Sequence, residues 1–269
     1  MSMLQAIILG LVQGATEFVP VSSSAHLVLV PWWLGWTNPG LAFDSVLHLG
    51  TLLAVIAFFW RDLCSLAVNW WHALVGRDAD DAQARIAWWI VLGTVPGALM
   101  GILWEERFET LFHRPLHVAF LLLVTGCWLA VAERSRRKVR RVEELGWREA
   151  LAIGLAQGCA IAPGISRSGA TIGAGMLLGL ERKAAARYSF LLATPIIFGT
   201  GTLQVTKLLQ MPDPHAGLPT LALGFVAAFA SGYACIRFLL TYVKTRGLGA
   251  FSVYCWALGV ASIVASSWR

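Results

Sequence analysis

Charged residues are scarce in this sequence. They make up 13% of its 269 residues, whereas a soluble domain carries roughly 25%. Hydrophobic residues make up 57%, the mean hydropathy is +0.67, and thirteen tryptophans include several pairs beside apolar runs, as expected of rings that anchor at a bilayer interface. The composition therefore argues against a water-soluble fold and predicts an all-α membrane protein with several crossings.

Several other signals are also absent. The five cysteines have no CxxC or Cys/His spacing, so neither a disulfide framework nor a zinc site is predicted. The glycines match neither the Walker nor the dinucleotide pattern. Although the formal net charge is +6, the basic residues lie in loops between apolar runs, which predicts contact with a bilayer and anionic lipid and no nucleic-acid partner. The N-terminus has no basic region or cleavage motif, so we expect no removed signal peptide.

Six apolar runs are long enough to cross a hydrocarbon core, which takes about 20 helical residues. The predicted spans are Ala42–Trp60, Ala84–Trp104, Leu116–Ala132, Ala184–Leu203, Leu218–Leu240 and Ala250–Ser266.

Two further apolar regions are interrupted by polar residues. Leu4–Leu34 is broken at residues 20–24, and Ala150–Leu180 is broken at residues 163–169, so that each half is too short to span. Lipid cannot satisfy free backbone groups, and a break at membrane depth must therefore be buried in protein or line a wet cavity. Both regions are predicted to be re-entrant helix-loop-helix hairpins.

The two interrupted regions are copies of each other. Residues 6–14 align without gaps on residues 150–158, and the same offset places the serines of 22–24 on those of 166–168. Each copy then holds one hairpin and three crossings, and an odd number of crossings inverts the second copy. The sequence thus predicts one membrane domain, built as an inverted repeat of residues 1–132 and 150–269 joined by a basic cytoplasmic loop, 133–149.

The loop charges predict an orientation. Seven arginines and lysines lie between residues 134 and 148, and the positive-inside rule assigns them to the cytoplasm. Both termini then lie outside, the first hairpin enters from outside, and the second enters from the cytoplasmic side. We expect the two breaks to meet near the membrane midplane. The oligomeric state is not fixed by these patterns, and a homodimer is one candidate assembly.

The repeated Gly-xxx-Gly spacings of the two hairpins, at Gly10 and Gly14 and at Gly154 and Gly158, favour close helix packing over a functional role.

Unusual polar residues occupy the first hairpin. Gln13 and Glu17 lie one helical turn apart on the same face, and Ser22, Ser23, Ser24 and His26 follow at the break. Such groups are costly in a membrane unless a wet cavity, a metal or a polar ligand meets them. Glu17 could instead be an interfacial helix-end residue, and His26 a hydrogen-bonded core residue.

The second break carries Ser166, Arg167, Ser168 and Gly169, a pattern typical of a helix N-terminus with serine caps. Amide donors, hydroxyls and a guanidinium together favour a phosphate site. The alternative is that Arg167 only pairs with Glu17 as a structural clamp. Phosphoryl chemistry fits the whole set, but a metal-activated water, Ser23 and His26 all remain candidates for the nucleophile. A transporter of polyprenyl phosphates is the rival function, because inverted repeats with broken helices are also a carrier design.

At these residues the sequence resembles the undecaprenyl-pyrophosphate phosphatase family of bacterial inner membranes. Residues 13–26 match its (E/Q)xxxE motif and the serine–histidine segment behind it, and residues 163–169 match its PGxSRSG motif; the likeness continues through residues 43–51. Position 13 is Gln rather than Glu, which removes one metal carboxylate. Ser24 stands where Thr is frequent, and Ala25 where Gly is usual.

The resemblance implies a reaction and a set of roles. The reaction is hydrolysis of undecaprenyl diphosphate to the monophosphate, assisted by Mg²⁺ or Ca²⁺, which recycles the lipid carrier of peptidoglycan synthesis and confers bacitracin resistance. By the same resemblance Glu17 is a catalytic and metal residue, with Gln13 a second metal position, His26 and Ser23 are catalytic, and Arg167 binds the pyrophosphate. The active site would open to the periplasmic side of the inner membrane.

The predicted orientation can be tested with cysteine labelling in intact cells, after the five native cysteines have been replaced. A cysteine near Arg137 should be protected from an impermeant reagent, and one near Pro212 should react, because the first loop is assigned to the cytoplasm and the second to the outside. The opposite labelling would place the entrance of the first hairpin in the cytoplasm.

Overall fold

The computed structural model describes residues 1–135, 139–209 and 217–268. Over these ranges the chain is helical, and its β-type pairing is one isolated bridge between Arg140 and Leu180. The helices are α1 Met3–Phe18, α2 Ser23–Leu34, α3 Leu41–Phe58, α4 Trp60–Leu74, α5 Asp81–Phe112, α6 Pro115–Arg134, α7 Trp147–Cys159, α8 Arg167–Leu177, α9 Arg182–Leu209, α10 Leu218–Tyr242 and α11 Gly249–Ser266, with a 3₁₀ turn at Val142–Glu144.

Four of the six predicted spans coincide with helices that are long and apolar enough to cross a membrane. In the described part of the chain these are Asp81–Trp104, Pro115–Arg134, Leu218–Tyr242 and Gly249–Ser266. The prediction of an all-helical membrane protein is therefore confirmed.

The other two predicted spans differ from simple crossings. The helix that begins at Leu41 ends at Phe58, and the chain turns by 78° into α4, so Ala42–Trp60 is part of a bent pair and Trp60 belongs to the second helix. Ala184–Leu203 lies within α9, which is not among the four helices found in the described part of the chain. The N-terminal part of α9 packs against protein, since Tyr188 and Phe190 are buried.

Each of the two predicted breaks separates two short helices. The first lies between Phe18 and Ser23, and the second between Cys159 and Arg167. Ser22 and Ser166 are the N-caps of α2 and α8, and their hydroxyls accept hydrogen bonds from the backbone N–H groups of Ala25 and Gly169. Serine at this position satisfies one of the free amides of a helix start, which explains why each helix resumes where it does.

Close helix contacts explain the repeated glycines. The hairpin helix α1 packs on α10, and α7 packs on α5. A Cβ atom at Gly14 would lie 2.0 Å from the Ser231 hydroxyl oxygen, and one at Gly154 would lie 2.4 Å from the Gly93 carbonyl oxygen. The prediction that these spacings serve close packing is confirmed. The remaining large contacts join α3 to α9 and α10, and α6 to α11.

The basic loop is fastened to the end of the second hairpin. The backbone N–H groups of Val139 and Arg140 donate to the Gly179 carbonyl at 3.0 and 2.9 Å. The Arg140 guanidinium donates to the Glu149 carboxylate and to the Leu178 carbonyl, each at 3.1 Å. The two labelling positions proposed above, Arg137 and Pro212, lie outside the described residues.

Candidate active site

The carboxylate of Glu17 is the centre of the candidate site. It lies in the last turn of α1, 6% exposed. Its Oε2 accepts hydrogen bonds from the Gln13 amide at 2.8 Å and the Ser23 hydroxyl at 2.5 Å. Its Oε1 accepts from the Arg167 guanidinium. His48 Nε2 lies 3.6 Å from Oε2.

Local sequence explains this convergence. Gln13 and Glu17 are four residues apart, so both side chains lie on one face of α1. The chain then leaves the helix around Pro20 and returns at Ser23, which brings the Ser23 hydroxyl back to the Glu17 carboxylate. Arg167 is the first residue of α8 and reaches Glu17 from the second hairpin.

The two breaks are in direct contact. The Ser168 hydroxyl donates to the Val19 carbonyl at 3.3 Å, and the Gly164 amide donates to the Ser24 hydroxyl at 3.4 Å. The prediction that the breaks meet is confirmed, while their depth in the bilayer stays a prediction. Most of the predicted site residues are thus brought together at this junction: Gln13, Glu17, Ser22, Ser23, Ser24, Ser166, Arg167, Ser168 and Gly169.

Burial makes the pair of Glu17 and Arg167 interdependent. The side chains are 4% and 17% exposed, and removal of one partner from such a pair leaves an uncompensated charge, at a cost of about 3–5 kcal/mol. The guanidinium also reaches the Ala193 carbonyl at 3.5 Å, which ties it to α9. The clamp considered from the sequence is therefore present as a contact, and a role in binding phosphate is an additional proposal.

Two helix N-termini begin at this junction, those of α2 and α8. The amides of Arg167 and Ser168 have no hydrogen-bond partner in the part of the chain that the structure describes. Free first-turn amides and the positive end of the helix dipole favour an anion. The junction can accordingly bind phosphate oxygens next to the Arg167 guanidinium.

The ring nitrogens of His26 have partners other than the Glu17 carboxylate. The ring Nδ1 is 2.7 Å from the Ser22 carbonyl, and the ring Nε2 is 2.7 Å from the Tyr254 hydroxyl. Both ring nitrogens therefore have polar partners, and the ring contacts the serine segment through the Ser22 backbone carbonyl. The imidazole that approaches Glu17 is that of His48, which the sequence analysis did not select.

Three residues that contact the candidate site were not selected from the sequence: His48, Tyr254 and Thr125. The Thr125 hydroxyl donates to the Gly164 carbonyl at 2.9 Å and accepts from the Ser166 amide at 3.1 Å, which holds the second break on α6. A threonine inside an apolar run is a weak signal, because its hydroxyl often bonds its own helix. For His48 a signal existed, since it lies in residues 43–51, which carry part of the resemblance.

A divalent cation fits the residues that are present only in part. The described residues contain no group of three His, Cys, Asp or Glu side chains that could hold a metal. Mg²⁺, however, is usually bound by one or two carboxylates together with substrate phosphates. Glu17 offers one carboxylate, and the neighbouring Gln13 Oε1 is buried without a hydrogen-bond partner. These two residues suit a cation that is completed by substrate oxygens.

The fold and the junction together define an integral membrane protein with a buried polar site where two broken helices meet. The sequence model of one protein family, described as "Bacitracin resistance protein BacA", matches residues 6–261. The chain belongs to this family.

Curated relatives match along almost their whole length. A protein of Rubrobacter xylanophilus is 47% identical over 269 residues, covering 99% of this chain and 98% of its own. Proteins of Moorella thermoacetica and Pelotomaculum thermopropionicum are 43% and 44% identical, each covering 100% of this chain and 99% and 98% of their own lengths. All three are named "Undecaprenyl-diphosphatase".

Arg167 provides a test of the site, because a lysine keeps the charge but offers no planar fork for two phosphate oxygens. We expect Arg167→Lys to lower turnover of a diphosphate substrate by about 10- to 100-fold, the value of a charged hydrogen bond, with little loss of melting temperature in detergent. Arg182→Lys is the matched control, since Arg182 pairs with Glu133 between α9 and α6, outside the site. Near-normal turnover of Arg167→Lys, with stability lost only in Arg167→Ala, would reduce Arg167 to a structural clamp.

Proposed function

We propose that this protein hydrolyses undecaprenyl diphosphate to undecaprenyl phosphate and inorganic phosphate. The observation that supports this best is the convergence of the Glu17 carboxylate, the Ser23 hydroxyl and the Arg167 guanidinium where two helices begin. Curated relatives of the same length bear the name of this activity. The reaction regenerates the lipid carrier for peptidoglycan synthesis, and it consumes the diphosphate that bacitracin sequesters, which accounts for resistance.

Substrate binding is assigned to the second break and to the start of α2. The diphosphate oxygens would be neutralised by the Arg167 guanidinium and by the first-turn amides of α8, with the hydroxyls of Ser22, Ser24, Ser166 and Ser168 around them. Arg167 would have to share its donors between Glu17 and the substrate. Such positioned donors stabilise the negative charge that develops on phosphorus oxygens in the transition state.

The nucleophile that the contacts favour is Ser23. Its hydroxyl already donates to Glu17 Oε2 at 2.5 Å, so that the carboxylate can accept the proton as the serine oxygen attacks the terminal phosphorus. Undecaprenyl phosphate leaves. Water then attacks the phosphoserine, the departing serine oxygen takes its proton back from Glu17, and inorganic phosphate is released. His26 is less suited to attack, because both of its ring nitrogens already have partners.

A divalent cation, Mg²⁺ or Ca²⁺, is part of the proposal. Glu17 and the Gln13 Oε1 atom would hold it, and when bound it would offset the negative charge of the diphosphate. The same cation would also balance the negative charge of Glu17, so that Arg167 could turn its donors towards the substrate.

We also propose the finer architecture: six crossings and two re-entrant hairpins in an inverted repeat. The reciprocal packing of the helices supports it. Hairpin helix α1 of the first copy packs on α10 of the second, and hairpin helix α7 of the second copy packs on α5 of the first. In addition, α3 packs on α9, and α6 packs on α11. An exchange of this kind is what a two-fold axis between two copies requires. The bent pair of α3 and α4 would then act as one crossing with an interfacial extension.

The proposed location is the bacterial inner membrane, with the site open to the periplasm. The support is the positive-inside assignment of the basic loop, residues 133–149, which places the first hairpin on the outer side. A homodimer is compatible with this arrangement but is not needed for the site, because the contacts around Glu17 come from one chain.

Phosphate release from undecaprenyl or farnesyl diphosphate by the purified protein in detergent, with and without divalent metal, tests the function. Glu17→Gln should reduce turnover by about 100-fold or more, because it removes the proton acceptor while keeping the shape. Glu144→Gln, a loop glutamate with an exposed side chain, should behave as the unmodified protein.

Three outcomes would change these assignments. Lipid binding without phosphate release would favour the carrier. If release occurs, an acid-stable phosphoenzyme would support Ser23, an acid-labile one would point to His26, and the absence of a covalent species would favour water.

A further inference from the structure

In the described part of the chain, the hydrogen-bond partner of His26 Nε2 is the hydroxyl of Tyr254. Tyr254 lies in α11, far from the motifs in sequence, and its hydroxyl is 2.7 Å from His26 Nε2. The rings are nearly parallel, with an interplanar angle of 5°, and their centroids are 5.7 Å apart, so their contact is made through the polar edges. His26 is 5% exposed, whereas Tyr254 is 45% exposed.

The partners of His26 determine which of its nitrogens carries the proton. Nδ1 faces the Ser22 carbonyl at 2.7 Å, and a carbonyl can only accept, so Nδ1 must bear the hydrogen. Neither the carbonyl nor the phenol is charged, and a buried imidazolium is costly without an acidic partner. The ring is therefore neutral, its Nε2 is an acceptor, and the Tyr254 hydroxyl donates to it.

The Ser22 carbonyl that His26 holds belongs to a strained residue. Ser22 has φ +67°, the only positive φ of a non-glycine residue in the described chain. Such backbone conformations are unfavourable for a residue with a side chain and persist where neighbours fix them. The Ser22 carbonyl accepts both the His26 backbone N–H, at 3.3 Å, and the imidazole Nδ1–H. The next residue is Ser23, whose hydroxyl is directed at Glu17.

We propose that Tyr254 is a positioning residue of the active site. Its hydroxyl fixes the orientation of the His26 ring, the ring fixes the strained Ser22 carbonyl, and that turn aims Ser23 at Glu17. In this proposal His26 positions the serine segment and does not attack the phosphorus. The inference rests on the proposed function for its kinetic part, but the Tyr254–His26 hydrogen bond can be tested without any substrate.

The kinetic test compares Tyr254→Phe, which removes one oxygen and keeps the ring, with Tyr233→Phe. Tyr233 is a second exposed tyrosine, on the neighbouring span α10, and its ring packs on Phe58 and Phe229. Loss of the outer hydrogen-bond partner of a metal-bound histidine typically costs about 10- to 100-fold, and Tyr254 is proposed to orient His26 in the same way. We expect Tyr254→Phe to lower kcat by about tenfold or more with KM nearly unchanged, and Tyr233→Phe to leave both unchanged. A kcat of Tyr254→Phe within twofold of the unmodified protein would overturn the proposal.

The spectroscopic test uses protein labelled with ¹⁵N-histidine. The signals of His26 among the six histidines are identified by their loss in His26→Asn. In the unmodified protein, Nδ1 should appear protonated and Nε2 as a hydrogen-bonded acceptor. Tyr254→Phe should move the Nε2 resonance towards that of an unbonded nitrogen, and Tyr233→Phe should not. An unmoved resonance in Tyr254→Phe would disprove the hydrogen bond and with it the proposal.

The two measurements separate the possible failures. A shifted Nε2 signal with unchanged kcat would show that the bond exists but does not position the site, which overturns the inference. Absence of phosphate release from the unmodified protein, with the Nε2 shift intact, would overturn the proposed function and leave the hydrogen bond standing.

A second pair of variants covers the case in which Tyr254→Phe does not accumulate. Tyr254→Gln keeps a donor group and Tyr254→Leu does not, so the glutamine variant should be the more active of the two. Equal activity of this pair would overturn the role of the hydroxyl.

Discussion

The ion pair between Glu17 and Arg167 is the interaction on which the site depends. It joins the end of one broken helix to the start of another that is 150 residues away in the sequence. In an apolar environment each charge would be costly alone, and each therefore constrains the position of the other. The carboxylate is thereby held within reach of Ser23, and the guanidinium is held at the start of α8, where an anionic ligand would be bound.

The surrounding contacts serve to place the two helix starts against each other. Thr125 fixes the second break on α6, and Ser24 accepts a hydrogen bond from Gly164 of that break. On the other side, Gly10 and Gly14 let α1 approach α10 closely enough for the hairpin to pack. The result is a polar junction with few degrees of freedom, which is what preorganised charge stabilisation needs.

Much of this arrangement could be predicted from local sequence. Prolines and serines at 20–24 and 163–169 predicted both breaks, because lipid does not tolerate polar backbone unless protein or water satisfies it. The spacing of Gln13 and Glu17 predicted that both lie on one face of a helix. An arginine without a partner is unfavourable in a membrane, which predicted an anionic partner for Arg167. The bend after Phe58 was not predicted, since residues 52–60 are all apolar and include no glycine or proline to signal a turn.

The contacts that were missed depend on tertiary structure. His48 approaches Glu17 only because α3 folds back beside α1, and Tyr254 reaches His26 from the last helix of the chain. His26 was selected from its place in the motif, but its two partners, the Ser22 carbonyl and the Tyr254 hydroxyl, could not be predicted from local spacing. Local spacing shows which face of a helix a residue occupies, whereas the partner on that face depends on packing between distant segments.

The most direct test of the central claim is a double-mutant cycle on stability in detergent, with Glu17→Gln, Arg167→Gln and the double variant. If the pair joins the two breaks, each single change leaves a buried charge without its partner, and the double variant removes both charges. We predict strong coupling, with the double variant losing less than the sum of the single losses by on the order of 1–3 kcal/mol. Losses that simply add would contradict the account, because they would mean that Glu17 and Arg167 contribute independently and that the two broken helices are held together by other contacts.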